Sequence, residues 1–339
     1  MAWYHTPGNE QDTVICTHVT IARNLEGYPF PARLDAAGAR DILAKIGGIL
    51  EQNGFTKTDF ADISRTMAYA LVEQQYVTPS FVKESIPHAL YRNEPCNLSA
   101  TVCGEDHVRV QAILSGLSLQ DAYEAARKIE QLLDERFDLA FDERLGYLTA
   151  SPGDLGTSLH PSVTLCLPML AESGRMEDLA MQLNRLGLHL CALYGEGRTH
   201  APGALYRLHP HSALGLSEDD ILRKTESAVR QIIDKERALR RTLNDADRDR
   251  LTDRILRAEG TLRYAHALPS RELLDLLADV RLGIAMELVR DVAVETLTAL
   301  LVEAMPATLT LASPSPLPTD RALELYRATV VKEKLGVQG

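Results

Sequence analysis

At 339 residues, with 45% hydrophobic and 24% charged side chains, the chain has the composition of a globular protein of one large or two medium domains, which excludes wholesale disorder. A net charge of −11 and a pI near 5.4 exclude a general binder of nucleic acids or anionic membranes. Any anion site must therefore be built from well-placed basic side chains.

Reading in chain order, TVICTHVTIA (13–22) is the first strand candidate, since β-branched residues dominate it. Apolar positions three and four apart predict a helix over 35–53. LSATVC (98–103) and HVRVQAIL (107–114) follow as strands, a second helical period covers 119–137, and SVTLCLPML (162–170) is again strand-like. The strands come in adjacent groups rather than in strict βα alternation, which predicts an α+β fold with a mainly antiparallel sheet flanked by helices.

From Ser217 onward the strand signals stop. Ser217 followed by Glu218, Asp219 and Asp220 is a helix start, a hydroxyl cap with acids in the first turn, and the helix runs to about Leu243. In 244–254 aspartate and arginine alternate, which reads as a solvated helix face in preference to a hinge. Helices over 270–282, 293–304 and 319–335 complete an all-α module. The expected division is 1–245 and 246–339, with no internal repeat.

Five cysteines, Cys16, Cys96, Cys103, Cys166 and Cys191, are an odd number without a CxxC pair, so neither a disulfide framework nor a sequence-local zinc site is expected. Cys16, Cys103 and Cys166 sit in strand-like runs and read as small buried hydrophobes. The amino terminus lacks a basic-then-apolar signal pattern, and the apolar stretch 292–312 is broken by Glu295 and Glu303. The expectation is a soluble, reducing, cytoplasmic protein with no membrane or nucleic-acid partner.

One segment is hard to explain as structure alone: GYLTASPGDLGTSLHPSVTLCLP, 146–168, a strand end entering a Ser/Pro/Gly turn and then another strand. It resembles the signature loop of the guanidino (phosphagen) kinases, Thr-x-Cys-Pro-x-Asn-Leu-Gly-Thr-Gly-Leu-Arg, at Thr149, Pro152, Leu155, Gly156, Thr157 and Leu159. TVCGEDHVRVQ (101–111) is similar to the family's Asn-Glu-Glu-Asp-His-Leu-Arg-Ile segment at Glu105, Asp106, His107 and Arg109. IARNLEGYPFP (21–31), LYGEG (193–197), LGLSE (214–218), VRLGIAMEL (280–288) and LYRATVVKEKL (325–335) resemble the bacterial protein-arginine kinase branch. The resemblance runs in order over nearly the whole chain.

It implies a guanidino-kinase-like catalytic domain followed by a helical domain through which the family dimerises. It also implies transfer of the γ-phosphoryl of ATP-Mg to a guanidinium, a reaction of positioning and charge neutralisation. The family's guanidinium-orienting carboxylate corresponds to Glu105, and its assisting thiolate to Ser151, which does not ionise near neutral pH. Asp106 and His107, at a strand's start, read as structural. The apolar residues Leu273, Leu274, Leu276, Leu277, Val280 and Leu282 suit either an internal core or a dimer face.

The phosphate-clamping arginines depart from the pattern. The opening Arg-x-Arg is His18 and Thr20, the arginine after Gly-Leu is His160, the Arg-Gly before the Tyr-Gly-Glu segment is Cys191-Ala192, and the later Ser-Asn turn is His209-Pro210-His211. A hydrogen bond to a charged partner is worth roughly 1.5–3 kcal/mol, so four lost forks remove at most about 6–12 kcal/mol, and half of that offsets most of a micromolar affinity of about 8 kcal/mol. The family's phosphoarginine-reading stretch Arg-Asp-x-x-Arg-Ala keeps only Arg327 and Ala328.

Three readings stay open. The first is a pseudokinase acting as a regulatory or scaffolding protein, as a homodimer or in a heteromer with a related kinase, with no cofactor expected. The second is an active phosphotransferase using ATP and Mg through an altered site, with Arg198 and Arg207 restoring some charge. The third is a repurposed His/Cys site in which His18, His160, Cys191, His209 and His211 converge. Zinc-type ligand chemistry suits it, but uncharged replacements in an unused pocket explain the same residues, so no metal is expected.

Overall fold

The computed structural model describes residues 2–93, 97–194 and 201–336. Its centre is an eight-stranded sheet in the order β2-β3-β4-β5-β1-β8-β10-β9, every neighbouring pair antiparallel. The strands are β1 (Val14–Arg23), β2 (Thr56–Asp59), β3 (Ala89–Asn93), β4 (Leu98–Val102), β5 (Val108–Ser115), β8 (Leu159–Cys166), β9 (Leu188–Ala192) and β10 (Leu205–Pro210). A small hairpin, β6 (Phe141–Asp142) and β7 (Gly146–Tyr147), carries the loop into β8. The α+β antiparallel architecture read from the grouped strands is the one found.

Period-two alternation explains how each strand serves two layers. Val19 and Ile21 of β1, Val110 and Ala112 of β5, Val163 and Leu165 of β8, and Leu188 and Leu190 of β9 point to one side. There they meet α1 (Ala36–Gln52), α3 (Leu119–Asp134) and α6 (Glu218–Arg241) through Ile42, Ile46, Ala126, Leu133, Val229 and Ile232. Asp35 and Ser217 cap α1 and α6 by accepting from the amides of Gly38 and Asp220, which is why those helices start there. α5 (Met176–Arg185) lies beside β9 on the same layer.

The opposite side of the sheet is shared. Ile15, Cys16, Ile113, Cys166 and Leu205 join a second core with Trp3, Leu71, Phe81 and the carboxy-terminal helices. The helices that complete the chain are α2 (Arg65–Glu73), α4 (Pro168–Glu172), α7 (Asp245–Tyr264), α8 (Ser270–Ala285), α9 (Val294–Glu303), α10 (Pro306–Ala312) and α11 (Asp320–Lys334). The charged 244–254 stretch is the first half of α7, capped by the Asn244 side chain. α10 is a helix that residue periodicity does not predict. It begins at Pro306, and the Glu73 carboxylate at the end of α2 accepts from the amides of Ala307 (2.8 Å) and Thr308 (2.7 Å).

Leu273, Leu274, Leu277, Val280 and Leu282 are buried in this second core, with Leu276 packed on it, so these residues serve the chain's own interior. Two buried arginines tie the helices to backbone. Arg281 donates to the Gln11 carbonyl and the Thr298 hydroxyl, and Arg327 donates to the carbonyls of Ala304 and Leu268. Arg327, the arginine retained from the phosphoarginine-reading stretch, is thus turned into the interior at 1% exposure.

Cys16, Cys103 and Cys166 are buried free thiols, with burial pushing the first up to about 11 and the others to about 12. Cys96 lies outside the described residues. No single described helix is long and apolar enough to cross a membrane. Only the bent pair α9 and α10 reaches that composition together, and most of α9 is buried against the protein.

Candidate functional site

The sheet's shared side opens into a cleft of about 630 Å³ where the carboxy-terminal helices do not cover it. Its floor is a row of side chains that register brings together. Thr20 faces Gln111 of β5 and His160 of β8, His18 faces Ser162, and Arg207 of β10 lies between Thr164 and Cys191. The segment from Val72 to Glu84, at and after the end of α2, forms one wall. Gln75 adopts a left-handed φ of 67° beyond the last turn of α2 and drops its side chain onto the floor, where it accepts from Arg207 Nη2 at 3.0 Å.

The β5 end of the cleft is acidic and internally paired. Arg109 donates through Nε to Asp106 (2.8 Å) and through Nη2 to Asp154 (2.8 Å), and it lies 3.1 Å from Glu105 Oε2. Glu105 lines the cleft and is 54% exposed at its side chain. Asp106 is buried; its Oδ1 accepts from the Asn24 amide side chain (2.7 Å) and from the Ala150 backbone N–H (2.8 Å). His107 accepts from the Leu25 amide at Nδ1 and donates from Nε2 to the Pro29 carbonyl, a neutral tautomer that burial also favours by lowering its pKa. Asp106 and His107 therefore hold the loop over β5 to 21–31 and to the signature loop.

That signature loop packs closely enough to require glycine. Gly146 has φ +76°, and a Cβ on it would sit 2.5 Å from the Gly156 carbonyl oxygen. Ser158, where the family loop has glycine, holds φ 55° and is buried. Ser151 starts the short turn 152–154, its carbonyl accepts from the Thr149 hydroxyl, and it does not line the cleft. Asp154 is what the loop contributes: it joins Arg109 to His160, whose Nδ1 lies 3.4 Å from Asp154 Oδ1. Burial raises the Asp154 pKa, but the hydrogen bond and charge of His160, then Arg109, outweigh it and hold the carboxyl below its usual range.

The other end is built of imidazoles. His18 is buried, and burial followed by the Arg207 charge pushes it down to about 3, so it is neutral. His209 is pushed down to about 4 by burial and then by His160, whose ring lies 5.1 Å away. Cys191 also lines this end. His211 does not line the cleft; it hydrogen-bonds Asn184 at 2.8 Å on the outer side, 5.4 Å ring to ring from His189.

His189, which carries no sequence signal of its own, sits directly across from His209 in the ladder. The described set with metal-holding geometry is His189, Cys191 and His209, rather than the five residues expected to converge. Arg198 lies outside the described residues, as do 195–197 of the LYGEG segment.

Among the described residues, Arg109 and Arg207 are the two guanidinium groups lining the cleft, and no lysine does. Arg109 faces three carboxylates, while Arg207 forms no ion pair among the described residues, and its buried Nε has no hydrogen-bond partner among them. Among the described residues the cleft thus presents one guanidinium outside an ion pair, where a triphosphate with its metal calls for several.

The family profile described as ATP:guanido phosphotransferase, C-terminal catalytic domain, matches residues 41–239, and that described as Protein-arginine kinase McsB C-terminal domain matches 248–338. The chain belongs to the ATP:guanido phosphotransferase family, in its bacterial protein-arginine kinase branch. It is 33% identical over 300 residues to a protein-arginine kinase of Clostridium acetobutylicum, covering 87% of this chain and 88% of the relative. It is 32% identical over 335 residues to that of Clostridium tetani, covering 98% of both. Among solved structures, the substrate-free duplicated taurocyamine kinase from Schistosoma mansoni superimposes with a TM-score of 0.61 at 23% identity, covering 79% of this chain and 40% of that one. Lombricine kinase does so with 0.58 at 20% identity, covering 70% of each. These likenesses carry the fold. The family's own reaction uses ATP, which makes the cleft's charge the question that matters.

Proposed function

We propose that this chain is a protein-arginine kinase homologue that has lost efficient phosphoryl transfer and acts as a regulatory or scaffolding protein. The observation that supports it is the cleft's charge: Arg109 is occupied by Glu105, Asp106 and Asp154, and among the described residues Arg207 is the one other guanidinium lining the cleft. Neutral imidazoles at His18 and His209 add no fixed charge, since burial holds both well below neutral pH. A single arginine aimed at a transferring phosphoryl group is worth about 10³–10⁵ in rate, so losing several removes catalysis rather than tuning it.

On this reading 1–245 keeps the kinase scaffold and 246–339 serves assembly. The partner is a second copy or a related kinase in the cytoplasm, and ATP and Mg are not needed. A dimer face, if built on the helical part, uses residues other than the buried leucines of α8.

A second reading, an active phosphotransferase with an altered nucleotide site, is favoured by Glu105 standing half-exposed at the cleft and by the unpartnered Nε of Arg207. The test is a phosphotransfer assay on an arginine-rich protein with ATP-Mg, using Glu105→Gln as control. No phosphoarginine above background in either protein supports the first reading. Turnover that Glu105→Gln abolishes overturns it in favour of the second.

A further inference from the structure

The edge of the sheet next to the cleft carries an arrangement that phosphoryl chemistry does not use. β9 is the last strand, and His189 and Cys191, two residues apart on it, project to the same side. His209 of β10 is the direct cross-strand partner of His189, and Arg207 is that of Cys191. One ligand atom from each of His189, Cys191 and His209 lies within 4.8 Å of the others, and all three residues are half-buried. We propose that these three side chains form a binding site for a zinc-type divalent transition-metal ion, with a fourth position open to water or to a ligand from the cleft.

Three features support the assignment. Two imidazoles and a thiolate form a borderline-soft donor set without carboxylate, which selects zinc and its neighbours over magnesium or calcium. His209 Nδ1 lies 3.0 Å from the Pro210 carbonyl, to which it donates, leaving Nε2 as a free lone pair. Metal-binding histidines are oriented by a hydrogen bond of that kind.

Two of the three ligands are held opposite each other in an antiparallel ladder, so the backbone is already set. Tetrahedral bonds of about 2.0–2.3 Å put ligand atoms about 3.3–3.6 Å apart, a closure of about 1 Å that side-chain rotation supplies. On binding, the Cys191 thiol, which lies 3.7 Å from the Arg207 carbonyl, gives its proton to solvent, and the thiolate bonds to the metal. Three protein ligands leave one position unfilled, the pattern of an open zinc site rather than a closed structural one.

The experiment is titration of the full-length, chelator-stripped chain with Zn²⁺, and separately with Co²⁺ followed by absorption. The expected result is one saturable Zn²⁺ per chain and, with Co²⁺, a near-ultraviolet thiolate-to-metal charge-transfer band. Cys191→Ser should remove that band, and His209→Gln should weaken Zn²⁺ more than roughly 100-fold, beyond what losing a supporting partner costs. His211→Ala should leave affinity within about twofold. Circular dichroism of the metal-free variants checks their fold, and should Cys191→Ser fail to fold, His209→Gln decides alone. Absence of saturable binding, or binding that neither Cys191→Ser nor His209→Gln changes, overturns the proposal. Because no nucleotide enters the assay, its outcome is independent of whether the cleft phosphorylates anything.

Discussion

The two ends of the cleft differ in what their polar groups are attached to. At the β5 end, Glu105, Asp106, Arg109 and Asp154 form a closed set of charges, with Asp106 buried and anchored to Asn24 and to the Ala150 backbone. At the β8–β10–β9 end, His18, His160, His209 and Cys191 occupy the positions where the family pattern carries its phosphate-holding groups, and their contacts are dispersed: His160 with Asp154, His209 with the Pro210 carbonyl, Cys191 with the Arg207 carbonyl, and His18 with a buried Nε2 that has no hydrogen-bond partner among the described residues. The first end ties the loop over β5 to the signature loop. The second is made of imidazoles and a thiol with few charged partners.

The largest effect that tests this contrast is Asp106→Ala. Removing one partner from a buried ion pair costs about 3–5 kcal/mol, so the urea midpoint should fall steeply. A change under 1 kcal/mol would show that the acidic end is not structural.

A similar size but opposite sign is expected at the other end for ligand binding. His160→Arg returns one guanidinium beside Asp154 and the cleft, and a charged hydrogen bond of about 1.5–3 kcal/mol predicts a roughly 10- to 150-fold gain in ATP-Mg affinity by calorimetry. No gain would mean that charge is not what the cleft lacks.

Asp154 joins the two ends, facing Arg109, His160 and, across Arg109, Glu105 and Asp106. Its carboxyl is held below the usual 3.8, so its contribution is present above that pH and is lost as pH falls through the folded value. Asp154→Asn should cost about 1.5–3 kcal/mol near pH 7. The gap to the parent protein should close in unfolding titrations taken below about pH 4. A gap that persists in acid would assign the effect to packing.

The smallest effect is at His211, which is exposed, hydrogen-bonds Asn184 through its imidazole and touches the His189 ring. His211→Ala should shift stability by less than about 0.5 kcal/mol.

Much of this was legible in the residues. The runs around Val19, Val110 and Val163 are rich in β-branched residues, and their grouping without strict βα alternation carries the central strands and the antiparallel sheet. Ser217 announces α6 because a hydroxyl cap precedes it and a run of acids opens it, and the alternating aspartates and arginines of 244–254 read as the solvated face that α7 supplies. α10 was not legible, since seven residues are too few to show a period, and its start is fixed by Glu73 from far away in the chain.

In the site, the departures at His18, His160 and Cys191 were visible from the motif, but their consequences were not. Asp154 reads as an ordinary loop acid until Arg109 and His160 are seen on either side of it. His189 acquires meaning only through the β9–β10 register, which no local pattern encodes. Gln75 reaches the cleft only because the chain turns left-handed beyond α2.

The central claim is that the cleft no longer holds a nucleotide triphosphate, and calorimetry of the intact chain with ATP-Mg tests it most directly. The account predicts no saturable heat at millimolar nucleotide. Micromolar binding, worth about 8 kcal/mol, would contradict it and return Arg207 and Glu105 to the role of a working site.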